Sequence, residues 1–151
     1  MLKLIEYDRS FLDLSWIWLN DPEIKKMTMT PSFTKEQQDE FFNTLKQRDD
    51  YIIYGVVYGD EKIGVAGIKN IHNTEAEYWG YIGEKKFWGM KLGEVIIDKM
   101  LEVANVKSIE RLTLKVVESN KRAIALYHKK GFVVYDYKCG IFYMERRVLA
   151  L

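Results

Sequence analysis

The sequence predicts a mixed α+β fold, in which a sheet of about seven strands is flanked by helices. Three observations lead to this prediction. Segments with the period of a strand alternate with segments with the period of a helix, and the first half of the chain contains a hairpin signal. The 151 residues suit one core, and no linker rich in Pro, Gly or Ser divides them. We therefore expect residues 1–151 to form a single domain.

One strand and three helices are predicted for the N-terminal third of the chain. Alternating apolar and polar residues indicate the strand, and a capping residue or a first-turn proline marks the start of each helix. In the third helix, Thr34 and Gln37 form a capping box, and Phe41, Phe42 and Leu45 make the side expected to be buried. The predicted strand is Leu2–Tyr7. The first helix runs from Asp8 or Ser10 to the Asn20-Asp21-Pro22 turn, the second is Pro22–Lys26, and the third runs from Thr34 to about Arg48. Between the second and third helices, Met27–Pro31 is predicted to be irregular.

The rest of the chain predicts further strands and two further helices. The turn Gly59-Asp60-Glu61 joins the first two of these strands in a hairpin. In the next strand, Gly80 indicates either a bulge or a close backbone approach. The following helix has one apolar side, and a β-branched run after it predicts a central strand, which a second helix connects to the next strand. The strand ranges are Tyr51–Tyr58, Lys62–Ile71, Glu75–Gly83, Arg111–Val117, Phe132–Tyr137 and Ile141–Val148, and the apolar helix side is Leu92, Ile96, Met100 and Val103.

Composition and charge argue against several classes of function. Twenty-three basic and 22 acidic residues give a net charge of +1, so we expect no nucleic-acid partner and no membrane surface. Two histidines and the single Cys139 lack the spacing of metal ligands, so no metal site is expected. Met1 begins a polar amphipathic stretch, and no apolar run reaches the ~20 residues that span a bilayer. These features predict a cytoplasmic protein and leave a homodimer open.

The most informative stretch runs from Val116 to Phe132. Within it, Asn120, Ala123, Ile124 and Tyr127 are spaced at i, i+3, i+4 and i+7, and a separation of seven residues returns a helix to within roughly 20° of the same direction. One helix face therefore carries an amide near its start and a phenol two turns later. Ser119 or Asn120 caps this helix, and Gly131 ends it in a left-handed conformation.

The run N-K-R-A-I-A-L-Y-H-K-K-G-F, from Asn120 to Phe132, resembles the helix-plus-strand signature of the GNAT superfamily of N-acetyltransferases. The resemblance implies a sheet that splays around its fourth and fifth strands to admit acetyl-CoA. It also implies that Asn120 contacts coenzyme A and that Tyr127 protonates the departing thiolate. Backbone N–H groups of the fourth strand, in Tyr81, Ile82 and Gly83, would bind the pantetheine arm and polarise the acetyl carbonyl. Without the resemblance, Tyr127 would be interpreted as a core residue.

A second motif lies between the fourth strand and the long helix, where GNAT proteins carry a Gln/Arg-x-x-Gly-x-Gly/Ala loop. Backbone N–H groups and the dipole at a helix N-terminus favour a pyrophosphate there. Trp88 replaces the Gln/Arg of the pattern, and Lys91 replaces its first glycine. Lys91 must manage without a glycine's freedom at positive φ, and it could add a cation for the phosphates. The expected cofactor-binding residues of this loop are Trp88, Gly89, Met90, Lys91, Leu92, Gly93 and Glu94.

An amine that attacks a thioester has to lose a proton, so a base is needed. Glu77 lies in the fourth strand, eleven residues before Trp88, a spacing that resembles the catalytic glutamate of several GNAT enzymes. Many members of the family use a water relay instead, and a solvated strand residue is the ordinary interpretation of Glu77. His72 is a third candidate, because its unperturbed pKa suits the task.

The acceptor is expected to bind near the first helices. The run W-L-N-D-P-E-I, from Trp18 to Ile24, resembles acetyltransferases of nucleotide-linked amino sugars and alanine N-terminal acetyltransferases of ribosomal proteins. An amine of low pKa is predicted, because it needs less base assistance than a lysine with its pKa of roughly 10.4. The short length and near-neutral charge of the chain favour a small-molecule amine acceptor. The nucleotide-linked amino sugar is favoured over a ribosomal protein, and a non-catalytic acyl-CoA-binding module is a further alternative. The predicted acceptor-binding residues are Trp18, Asn20, Met27, Phe33, Glu77 and Trp79.

Overall fold

The computed structural model describes residues 1–148, which form seven strands, five α-helices and two short 3₁₀ turns. The predicted mixed α+β class is confirmed. Four of the five helices begin at side-chain caps, namely Asp8, Asp21, Thr34 and Asn120. The elements are β1 (Leu2–Glu6), α1 (Arg9–Asn20), α2 (Pro22–Thr28), α3 (Lys35–Thr44), β2 (Ile52–Tyr58), β3 (Glu61–His72), β4 (Glu75–Ile82), α4 (Leu92–Val106), β5 (Arg111–Val117), α5 (Lys121–Lys129), β6 (Val133–Lys138) and β7 (Ile141–Arg147), with 3₁₀ turns at Leu45–Gln47 and Lys85–Phe87.

The strands form one mixed sheet in the order β1-β2-β3-β4-β5-β7-β6. The single parallel pairing among the described strands joins β4 to β5, and the other neighbours are antiparallel. Helices pack on both faces. Phe11 and Leu12 of α1 are fully buried on one face, and Ile97 and Met100 of α4 are fully buried on the other. The β5 strand has β4 on one side and β7 on the other, so it lies in the interior of the sheet, as predicted.

Two local predictions need correction. Gly80 pairs in register with Ala66, so the predicted bulge is wrong. A Cβ atom on Gly80 would lie 2.6 Å from the Tyr78 hydroxyl, so the close approach at this glycine is that of a side chain rather than of another backbone. The apolar side of α3 is only half-buried, and no residue of that helix is fully buried, because α3 packs on the outside of α1 rather than on the sheet.

Two kinds of feature are absent from residues 1–148. None of the helices within residues 1–148 is long and apolar enough to cross a membrane. The same residues contain no group of three or more His, Cys, Asp or Glu side chains that could hold a metal ion.

Candidate active site

The site lies where β4 and β5 separate. Their pairing covers only three residue pairs in the described chain, which join Glu75–Glu77 to Arg111–Thr113. Beyond that point β4 continues along β3 and β5 continues along β7, so their facing edges enclose a wedge. The splayed sheet that the family resemblance implied is therefore present.

Backbone donors of β4 point into this wedge. The Gly83 N–H donates to the Ile63 carbonyl on β3 at 2.7 Å, while the Thr74 carbonyl accepts from Glu110 on the β5 side at 2.7 Å. Because N–H groups alternate between the two sides of a strand, those of Gly80 and Ile82 point away from β3. The prediction of Tyr81 and Gly83 as pantetheine donors is thus corrected, since their N–H groups point to β3. Ile82 keeps the predicted role, and Gly80, which was not predicted as a donor, joins it.

A cavity of about 720 Å³ opens from the wedge along the start of α4 and one face of α5. It brings together ten of the predicted cofactor-binding residues from three separate parts of the chain. Met90 and Gly83 do not line it: Met90 is largely exposed, and Gly83 is buried beneath the Trp18 ring. The predicted residues that line it are Tyr81, Ile82, Trp88, Gly89, Lys91, Leu92, Gly93, Glu94, Asn120 and Tyr127.

The N-terminus of α4 forms one end of this cavity. Unlike the other four helices, α4 has no side-chain cap in the described chain, so its first N–H groups remain available to an anion. Its N-cap residue, Lys91, adopts the left-handed region with φ 60°, where the family pattern has glycine. That conformation costs an L-residue about 1–2 kcal/mol. The Trp88 indole donates to the Ile82 carbonyl at 2.8 Å and so ties the loop to the end of β4.

Cations surround the same end of the cavity. Lys91, Lys121 and Arg122 line it and make no ion pair with any described carboxylate. Lys129 also lines it, but its ammonium lies 2.8 Å from the carboxylate of Glu94. The hydrogen bond from Lys129 lowers the pKa of Glu94, so that carboxylate is ionised and already neutralised. Three cations are therefore left to meet an anionic ligand.

Tyr127 lies at the other end of the cavity, on α5. Its ring packs edge-on against Tyr78 and Phe132, with centroids 6.2 and 5.9 Å away, and its hydroxyl makes no hydrogen bond with the rest of the described chain. Burial raises the pKa of Tyr127 to about 12. Asn120, on the same helix face two turns earlier, caps α5 by accepting from the Ala123 N–H at 3.3 Å, which leaves its own NH₂ group for a ligand.

A second cavity of about 410 Å³ meets the first at Tyr127. Glu77 lines it, with its carboxylate 3.8 Å from the Lys69 ammonium and 3.4 Å from the Asn70 amide. Trp79 lines it too, and its indole N–H is buried without an acceptor among residues 1–148. Of the six predicted acceptor-binding residues, the cavity therefore contains Met27, Glu77 and Trp79.

The other three predicted acceptor residues lie elsewhere. Trp18 is 3% exposed, and its indole donates to Glu84 at 2.7 Å while the ring covers Gly83. The Asn20 side chain donates to the Trp16 carbonyl of its own helix. Phe33 packs edge-on against Trp16, with centroids 5.4 Å apart. These side chains stabilise the α1–α2 region, and their prediction as direct acceptor contacts is corrected.

Several lining residues of the second cavity had not been predicted. They are Tyr51, which directly precedes β2, Lys69 of β3, Lys115 of β5 and Tyr143 of β7. Burial raises the pKa of Tyr51, so its hydroxyl stays a neutral hydrogen-bonding group. Only the register of the folded sheet brings Lys69 and Lys115 close to Glu77. Lys69 pairs with Glu77, and Lys115 lies two residues beyond Thr113, which also pairs with Glu77.

Comparisons with known proteins agree with this architecture. A sequence model of the acetyltransferase (GNAT) family matches residues 14–132. The acetyltransferase PseH of Campylobacter jejuni is 28% identical over 142 residues, which make up 90% of this chain and 87% of that protein.

Solved structures show the same fold at lower identity. The spermidine N-acetyltransferase of Vibrio cholerae in complex with CoA and spermine has a TM-score of 0.87 at 18% identity, covering 97% of this chain and 95% of the other. The N-acetyltransferase PseH of C. jejuni in complex with acetyl coenzyme A has a TM-score of 0.76 at 21% identity, covering 97% and 99%. Since the family match spans well over half of the sequence, the chain belongs to the GNAT family of acetyltransferases.

Proposed function

We propose that this acetyl-CoA-dependent N-acetyltransferase acetylates a primary amine of a small acceptor, and that this acceptor is a nucleotide-linked amino sugar. Tyr127 is the general acid, and Glu77 or a water relay is the base. The observation that carries the proposal is the junction at Tyr127. There the cavity beside the uncapped α4 helix meets the cavity that holds Glu77. We also propose that residues 1–151 form a single domain and that the protein is cytoplasmic.

The residues of the first cavity fit acetyl-CoA. The N–H groups at the start of α4 would hold the pyrophosphate, and Lys91, Lys121 and Arg122 would neutralise phosphate charge. The wedge between β4 and β5 would take the pantetheine arm as an added partner of β4. Bound there, acetyl-CoA supplies an acetyl thioester, whose carbonyl an amine can attack.

The N–H groups of Gly80 and Ile82 would stabilise the charge that develops on the carbonyl oxygen. They are fixed by the pairing of β4 with β3, so they need no rearrangement during the reaction. One such preorganised donor is worth about 10²–10³-fold in rate in well-studied acyl transfer.

The Tyr127 hydroxyl would donate a hydrogen bond to the sulfur as the carbon–sulfur bond breaks. With a pKa of about 12, its phenol stays protonated throughout the neutral range, which is the form that an acid needs. A thiol has a pKa of roughly 8.5, so a full proton transfer from an isolated phenol is unfavourable. The hydroxyl therefore stabilises the departing sulfur by a hydrogen bond, and the phenol passes on its proton only as its oxygen regains the proton that the amine releases.

Glu77 would take the proton of the amine. Its side chain is 14% exposed and lies on the same cavity as Tyr127, so the acceptor amine can enter between the two groups. The nearby Asn70 amide and Lys69 ammonium orient its carboxylate. A water bound beside Glu77 could carry the proton instead, and the two versions differ in how strongly the rate depends on this residue.

The charge of the second cavity supports an acceptor that is not a polyamine. Glu77 is the one carboxylate among its described lining residues, and it is matched by Lys69 and Lys115. A polyamine carries several positive charges, which this balance would repel. Aromatic residues Tyr51, Trp79 and Tyr143 offer surfaces for a sugar or a base, and the W-L-N-D-P-E-I run forms the α1–α2 junction beside them.

An acceptor screen tests the proposal. Thiol release from acetyl-CoA is followed with amino sugars linked to UDP, GDP or CMP, with short peptides that begin with alanine, and with spermidine. We expect release with at least one nucleotide-linked amino sugar. Release with the alanine peptides alone would identify an N-terminal acetyltransferase, and binding of acetyl-CoA without release for any amine would identify a non-catalytic module.

A further inference from the structure

One face of the C-terminal half of the sheet is open to solvent beside Glu77. Along β5, Leu112, Leu114 and Val116 are buried on the α4 side, while the alternate residues point to the opposite side. The register places Glu77, Thr113 and Glu145 side by side on that opposite side, and Lys115 beside Tyr143. Lys115 is exposed and Tyr143 is half-buried. The open face is thus continuous with the acceptor cavity, whose wall contains both residues.

Two lysines converge on Tyr143. The Lys115 ammonium lies 5.8 Å from the centre of the Tyr143 ring, and the Lys138 ammonium lies 5.1 Å from it. Lys138 also approaches the Asp136 carboxylate at 3.6 Å, but both of these side chains are largely exposed, so that pair contributes little. Lys115 makes no ion pair within the described residues. Among the described residues, the two lysines are therefore balanced by the exposed Asp136 carboxylate alone, which leaves net positive charge for a ligand.

The spacing between this pair and the base suits a compact acceptor. Lys115 lies two residues beyond Thr113, which pairs with Glu77, so it is displaced by ~7 Å along the strand. An amine at Glu77 and an anion at Lys115 would thus be about one sugar ring apart. Simple polyamines have no anion to place at this position.

We propose that Lys115 and Lys138 bind the diphosphate of a nucleoside diphosphate carried by the acceptor, with Tyr143 as the surface against which the nucleoside packs. This inference rests on the proposed function, because it names where that acceptor is recognised. The two ammonium groups supply charge and donors to the phosphate oxygens, and the Tyr143 ring that both approach supplies the apolar surface for the nucleoside. Neither lysine takes part in the transfer of the acetyl group.

The test compares Lys115→Ala and the double variant Lys115→Ala/Lys138→Ala with the wild type. For a UDP-linked amino sugar that the wild type acetylates, we expect the KM of the acceptor to rise about tenfold or more in each variant. The KM of acetyl-CoA should not change. Lys115→Arg should keep most of the affinity. Lys3→Ala, an exposed lysine on β1 at the opposite edge of the sheet, is the matched control and should have no effect.

UDP alone supplies a readout that does not require turnover of the sugar. We expect UDP to inhibit competitively against the acceptor, and to lose this inhibition in Lys115→Ala. An unchanged acceptor KM in the double variant, or competition of UDP with acetyl-CoA alone, would overturn the inference. So would protection of Lys115 from amine-reactive labelling in the ligand-free enzyme, because a second copy would then cover this face.

The outcomes separate this inference from the proposed function. If nucleotide-linked amino sugars are acetylated but the lysine variants behave as the wild type, only the inference fails. If spermidine is the true acceptor, removing a cation should lower its KM, and both proposals fail.

Discussion

Replacement of Tyr127 by phenylalanine isolates the role of one hydroxyl. The ring would keep its contacts with Tyr78 and Phe132, and the hydroxyl has no hydrogen-bond partner in the described chain to lose. The free energy of unfolding should therefore change by less than about 1 kcal/mol. A positioned general acid contributes about 10²–10⁴-fold to the rate, so kcat should fall by at least 10²-fold. The affinity for acetyl-CoA should stay within about twofold, because the phosphate and pantetheine contacts lie elsewhere.

Thiol release measures kcat in this experiment, and calorimetric titration measures the affinity for acetyl-CoA. Tyr78→Phe is the matched control, because this buried tyrosine packs against Tyr127 and lines the same cavities. Its loss of a hydroxyl should reduce kcat by less than about tenfold. Equal losses of kcat and of acetyl-CoA affinity in Tyr127→Phe would refute the assignment of the acid, as would a larger loss in Tyr78→Phe.

Three further predictions address the base, the pH profile and the phosphate loop. Glu77→Gln should lower kcat/KM by about 10²-fold and flatten its rise with pH, whereas an unaltered profile, measured by thiol release, would indicate a water relay or another base. Because the pKa of Tyr127 is raised to about 12, its active protonated form persists at alkaline pH. The value of kcat should therefore rise to a plateau as the acceptor amine deprotonates, and it should show no descending limb below about pH 11. A fall between pH 8 and 10 in enzyme that remains folded would contradict this. Lys91→Gly should stabilise the fold by about 1 kcal/mol in thermal unfolding, because it relieves a residue at φ 60°. The same variant should raise the KM of acetyl-CoA, because a cation is lost from the phosphate site. A variant less stable than the wild type would show that Lys91 makes compensating contacts.

Features with a local cause could be predicted from the sequence. The α5 helix is set by its own cap, its apolar stripe and the terminal Gly131, so the shared face of Asn120 and Tyr127 followed from spacing alone. The strained conformation of Lys91 also followed from its place in the loop pattern. Both belong to segments whose geometry depends on a few neighbouring residues.

The acceptor side depended on contacts between distant segments. Nothing local to Trp18 indicates that its ring covers Gly83, 65 residues later, and this contact removes both residues from the ligand cavities. Similarly, Lys69 and Lys115 join Glu77 only through the register of β3 and β5 with β4. A register shift of one residue would turn these side chains to the other face, so their role could not be predicted before the pairing was known.

A crystal structure with bound acetyl-CoA would test the central claim most directly, through the distance between the cofactor sulfur and the Tyr127 hydroxyl oxygen. We predict that the sulfur lies within about 3.5 Å of that oxygen, with the pyrophosphate on the first N–H groups of α4. A sulfur atom beyond hydrogen-bonding reach of Tyr127, or a cofactor bound outside the wedge between β4 and β5, would contradict the account.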